Sequence, residues 1–103
     1  MRKKYSIKED FLIESMKVSL HNNGDCHHNS KIIYGELKKL GYEVKLCSGV
    51  FLTKPKNIRH SWIEYKDKIL ETDCEQLGIP AEFRIAGIIT DKNIKLKYRK
   101  LKI

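Results

Sequence analysis

Cys26 sits in the stretch NNGDCHHNSKIIYGELKKLGY, two residues behind Gly24 and at the mouth of an amphipathic pattern. A thiol in the first turn of a helix meets unpaired backbone N–H groups and the positive end of the helix dipole, which favour thiolate. Asp25 beside it works the other way unless its carboxylate turns into the helix cap, so a further positive group must come from elsewhere in the chain. Thiol catalysis needs that group to be an imidazole, and a third residue to hold the imidazole in one tautomer.

His60 and Asp73 supply the remaining two parts. The segment HSWIEYKDKILETD suggests two short strands about a turn at Lys66-Asp67. In that register Tyr65 opposes Lys68 and His60 opposes Asp73. Directly opposed residues have Cβ atoms about 4.5–5.5 Å apart, close enough for a carboxylate to accept the imidazole N–H. A slip of one residue turns one of the two side chains to the other face.

The elements that must carry these residues are legible in outline. Ser6 and Glu9 form a capping box ahead of Phe11, Leu12, Met16 and Leu20, which predicts a first helix over 7–20. A second helix is expected from Asp25 or Cys26, with Ile33, Leu37 and Leu40 on its inner face, ending at Gly41. EVKLCSGVFL alternates as a strand, with Gly49 marking a bulge or a close approach. TKPKN forms a loop, Phe83 to Ile89 is expected as one strand, and the basic run from Lys92 to Lys102 as another at a sheet edge. Two helices followed by a mostly antiparallel sheet make an α+β domain.

The run G-x-C-x3-S from Gly24 to Ser30 is followed by Leu37, Leu40 and Gly41, then Ser48-Gly49, His60-Ser-Trp62-Ile-Glu64 and Asp73. This pattern resembles the core of the transglutaminase-like superfamily of papain-like thiol enzymes over about half the chain. The resemblance implies a papain-like core with a Cys–His–Asp triad on Cys26, His60 and Asp73. It also implies acyl transfer through a thioester, or amide hydrolysis by the same route. The chain departs from the family pattern in having Cys74 after the aspartate and His27-His28 after the nucleophile.

An acyl-transfer site also needs oxyanion donors. The backbone N–H of Cys26 is one, and Asn22 or Asn23 upstream offers a side-chain amide for the second. Trp62 shares a strand face with His60 and is expected as a core aromatic shielding the site, with Glu64 facing solvent or supporting it. His27 and His28 point about 100° apart on a helix and are expected at the surface. Cys47 and Cys74 are expected to be structural. No cysteine pair has the C-x2–4-C spacing of a structural zinc site, so no metal or other cofactor is expected.

Composition bounds the rest. The 103 residues suit one minimal domain, and an apolar share of 41% beside a charged share of 33% is that of a globular protein without a membrane span. Three cysteines and no signal-like apolar stretch suggest free thiols and a cytoplasmic setting. The expected activity is a thiol-dependent amide hydrolase, a cysteine peptidase acting on a peptide or protein. Hydrolysis is expected over transfer, because so small a chain has little room for a second-substrate site. A transglutaminase or acyltransferase with a similar triad, as in the arylamine N-acetyltransferases, is the nearer alternative. The formal net charge of +8 supports a second alternative, a non-catalytic module holding nucleic acid or an acidic partner on the basic C-terminal strand.

Overall fold

The computed structural model describes residues 5–21, 26–54, 56–72, 77–85 and 87–100. Helix α1 spans Ile7–His21. Ser6 caps it by accepting the Glu9 N–H at 3.2 Å, and its hydroxyl donates to Glu9 Oε1 at 3.1 Å. Helix α2 spans Cys26–Lys39 and closes with paired bonds from Gly41 N to Lys38 O and from Tyr42 N to Leu37 O. Gly41 supplies the positive φ of 95° that this ending requires.

Strands β1 (Val44–Phe51), β2 (Ile58–Tyr65) and β3 (Lys68–Leu70) follow as an antiparallel meander. The β2–β3 turn is at Lys66-Asp67, as expected, and pairs Tyr65 with Lys68 and Ile63 with Leu70. Lys66 takes a positive φ of 56° there. The chain then makes a 3-10 turn at Ala81–Phe83 and a small hairpin of β4 (Arg84–Ile85) and β5 (Ile88–Ile89). Helix α3 (Lys92–Lys95) and strand β6 (Tyr98–Lys100) complete the order. The sheet runs β4-β5-β3-β2-β1-β6, and every pairing in it is antiparallel. The chain is an α+β fold.

Two expected strands are corrected. The segment 83–89 is a hairpin, because Gly87 turns the chain with φ 83°. Any Cβ at Gly87 would lie 2.7 Å from Phe11 Cε2, so the turn also lets α1 pack down. The segment from Lys92 begins as a helix, because the Asp91 side chain accepts the Ile94 N–H at 3.0 Å and caps it. Only Tyr98–Lys100 of that basic run is strand, and it is an edge strand.

The sheet is buried on both faces. Helices α1 and α2 cover one with Phe11, Val18, Ile33 and Leu37 against Val44, Ile63, Leu70 and Ile88. On the other face, Cys47, Phe51, Trp62, Ile69, Ile89 and Tyr98 pack with Leu77, Ile79 and Ile94. Asp10, fully buried, ties α1 to the end of α2 by accepting from Tyr42 Oη at 2.5 Å and from the Tyr5 N–H at 3.0 Å. Among the described residues no helix is long and apolar enough to cross a membrane.

Gly49 is where β6 approaches β1 most closely. A Cβ there would lie 1.9 Å from Arg99 O, a clash with backbone that no rotamer relieves. Gly49→Ala should therefore destabilise the fold by about 3 kcal/mol in urea denaturation. Gly35→Ala on α2, where an added Cβ meets nothing within 4 Å, should instead stabilise it by about 0.5–1 kcal/mol.

Candidate active site

His60 lies near the start of β2 and is fully buried. Its side chain points to the sheet face that also holds Trp62, whose ring stacks beside the imidazole with centroids 6.4 Å apart and planes 18° apart. His60 Nε2 is 2.6 Å from Glu71 Oε2, and both side chains are fully buried. The other carboxylate oxygen, Oε1, accepts the Tyr98 hydroxyl at 2.6 Å. Tyr98 in turn packs edge-on against Trp62 with centroids 5.0 Å apart. The buried row His60–Glu71–Tyr98 thus joins β2, the residue after β3, and β6.

Glu71 is the carboxylate that holds the imidazole, where sequence reasoning assigned Asp73. The hairpin register was anticipated correctly, but the ladder stops at Ile63↔Leu70. Beyond it the Glu71 N–H continues the pairing with the β5 side by donating to Gly87 O at 2.8 Å, and the Glu71 side chain reaches His60 from two residues out of register. Asp73 lies outside the described residues, as do Cys74, Asn22 and Asn23. The signal that could have found Glu71 is parity: residues 69, 71 and 73 share a strand face, and only the register sum favoured the last. Tyr98 was hidden in a basic run whose alternation suggested a solvated strand.

One nitrogen of His60 is committed to Glu71. The other, Nδ1, is buried and has no hydrogen-bond partner among the described residues. With Nε2–H donating to a carboxylate, Nδ1 is the lone-pair nitrogen, able to take a proton. An orphaned buried acceptor costs free energy unless something approaches it.

Cys26 opens α2, and of this residue the structure describes the backbone position. The first turn of α2 is fastened to β2 next to His60. His27 Nδ1 bonds the Ser61 hydroxyl, which lies 3.1 Å from the Ser48 hydroxyl. Ser30 Oγ donates to the Ser61 carbonyl at 3.2 Å and lies 3.5 Å from Thr72 Oγ1. Ser61 faces the helices while His60 faces the opposite layer. Among the described residues the β2–β3 ladder ends at Ile63↔Leu70, short of His60 and Ser61. His27 and His28 are exposed as expected, and His27 also pins the helix start.

Trp62 is fully buried, and its indole N–H donates to Glu64 Oε2 at 3.3 Å. Its ring lies beside the imidazole. Glu64 is neither idle nor simply solvent-facing, since its Oε1 pairs with Lys100 Nζ at 2.8 Å. Cys47 is buried in the core; burial, reinforced by the Glu64 charge, pushes its thiol up to about 11, which keeps it protonated and unreactive. Among the described residues no three His, Cys, Asp or Glu side chains cluster as metal ligands. A groove of about 940 Å³, lined by Tyr34, Lys38, Leu46, Tyr65 and Lys66 among others, opens at the far end of β2 and touches none of His60, Glu71 and Tyr98.

Comparison with family models, with curated proteins and with solved structures finds no match to the chain.

Tyr98→Phe removes the hydroxyl that donates to Glu71 while leaving the ring against Trp62. It should lower stability by about 1–2 kcal/mol in urea denaturation, a cost that vanishes when Glu71→Leu, which leaves no acceptor, is already present if the two groups act as one unit.

Proposed function

We propose that the protein is a thiol-dependent amide hydrolase of papain-like, transglutaminase-like type, in which Cys26 is the nucleophile, His60 the proton shuttle and Glu71 the residue that orients the imidazole. The observation that carries this reading is the division of labour at His60: Nε2 is held by a buried carboxylate and Nδ1 is buried with no partner among the described residues, next in the chain to Ser61, to which the first turn of α2 is fastened. A purely structural histidine in so dry a place is expected to satisfy both nitrogens. Asp73, the aspartate of the family pattern, remains the alternative to Glu71 in the orienting role.

In this mechanism the Cys26 thiol proton passes to His60 Nδ1 as sulfur attacks the amide carbonyl carbon. The S–C bond forms and the carbonyl becomes a tetrahedral oxyanion. Unpaired N–H groups of the first turn of α2, including that of Cys26, face developing negative charge there. Collapse breaks the C–N bond, and the leaving amine takes the proton from Nδ1. Water then adds to the thioester, giving its proton to His60, and the carboxylic acid leaves as the thiol is restored. Glu71 stabilises the imidazolium and fixes the ring, and Trp62 excludes water from the pair.

An activated ester reports this chemistry without knowledge of the natural substrate. Exposed to p-nitrophenyl acetate, the protein should show a burst of p-nitrophenol and an acetyl group on Cys26 by peptide mass mapping, with Cys47 unmodified. His60→Ala should slow the acylation about 10²-fold or more. Acetylation spread over the cysteines at similar rates, or a burst unaffected by His60→Ala, would remove the nucleophile assignment.

A further inference from the structure

We propose that the open end of the sheet's helix face beside α2 is a subsite for an acidic side chain of a peptide substrate, built from Arg59 and Arg99 over Val50. This inference rests on the reading that α2 begins at the reacting end of the molecule, and it names the class of substrate that end would take.

The placement follows from register. Val50 of β1 pairs with Arg59 of β2 on one side and with Arg99 of β6 on the other. Residues directly opposed across neighbouring strands point to the same face, so both arginines rise from the sheet on either side of Val50. Their backbones are two strand spacings apart, about 9.6 Å, and side chains of their length can converge over the valine between them. Both are exposed, and Val50 is half-buried.

Neither guanidinium makes an ion pair or side-chain hydrogen bond among the described residues, although the glutamates elsewhere in the fold are engaged. Glu64 holds Lys100, and Glu71 holds His60. Two cations held side by side with no anion repel each other, which folding alone gives no reason to retain. A carboxylate between them would be bound from both sides, and arginine's planar fork suits it to that geometry.

The row also lies where a substrate must pass. The next positions on the same face are Ser48 and Ser61, the second of which carries the bond from His27. The helix layer therefore reaches the sheet at Ser61, and the Arg59–Val50–Arg99 row lies one step beyond the start of α2, about 7 Å along the strands. A peptide whose scissile amide lies at the head of α2 would set a neighbouring side chain over this row.

An acidic peptide fits better than a nucleic acid. Single strands bind where bases stack on exposed rings between basic groups. The aromatic residues nearest the row, Phe51 and Tyr98, are buried on the opposite face, so the row offers charge without a stacking surface.

The test is binding to the Cys26→Ala protein, which cannot turn over and so reads the shelf apart from the chemistry. A fluorescein-labelled oligoglutamate peptide should bind, its oligoglutamine counterpart should not, and Arg59→Gln or Arg99→Gln should each weaken binding about tenfold. Neutralising two exposed lysines at the far end of β2, Lys38→Gln with Lys66→Gln, removes more charge than either and should change affinity less than threefold. Equal binding of the two peptides, or equal losses from the arginine and lysine variants, would overturn the proposal. So would an oligonucleotide that binds as tightly as oligoglutamate with the same arginine dependence. Ester acylation of Cys26 is read separately, so an active thiol with no acidic preference sinks the subsite alone, and arginine-dependent binding without acylation sinks the hydrolase reading alone.

Discussion

The structure turns on one buried carboxylate. Glu71 lies in the sheet's lower core, and burying a charge without partners there would cost several kcal/mol. It is offset by two short bonds, one to His60 on β2 and one to Tyr98 on β6, two strands that are not paired with each other. The carboxylate therefore couples the central strand to the edge strand from beneath β1. Around it, Trp62 packs against both the imidazole and the phenol, and the Trp62–Glu64–Lys100 chain repeats the same link one step along the sheet. The imidazole's orientation is thus held by groups drawn from β2, the end of β3 and β6 together.

Two-sided burial explains why this arrangement fits in so few residues. The helices cover one sheet face and fix the start of α2 through His27 and Ser30. Leu77, Ile79 and α3 residue Ile94 pack on the other, where Trp62 and Tyr98 also lie. The start of α2 meets the sheet at Ser61, next in the chain to the imidazole that Glu71 holds on the opposite face.

Much of this was legible in the chain. The capping box at Ser6, the glycine ending at Gly41, the Lys66 turn and the close approach at Gly49 each rest on local chemistry that tertiary structure did not override. The register that puts His60 opposite the chain beyond Leu70 followed from the turn alone. What escaped was set by distant partners. Glu71 was missed because it meets His60 from beyond the end of the ladder and is held there by Tyr98, from a strand not paired with β2. The helical start at Lys92 escaped because the alternation of lysine with apolar residues masked the Asp91 cap. The cationic pair over Val50 is invisible until β1, β2 and β6 are assembled in order.

The central claim is that His60 activates the thiol of Cys26, and the pH dependence of Cys26 alkylation by iodoacetamide tests it most directly. Paired with the imidazole, Cys26 should react rapidly at mildly acidic pH, and His60→Ala should move the onset of its reactivity up toward the free-thiol value of about 8.5. An onset already near that value in the unmodified protein, unchanged by His60→Ala, would contradict the account.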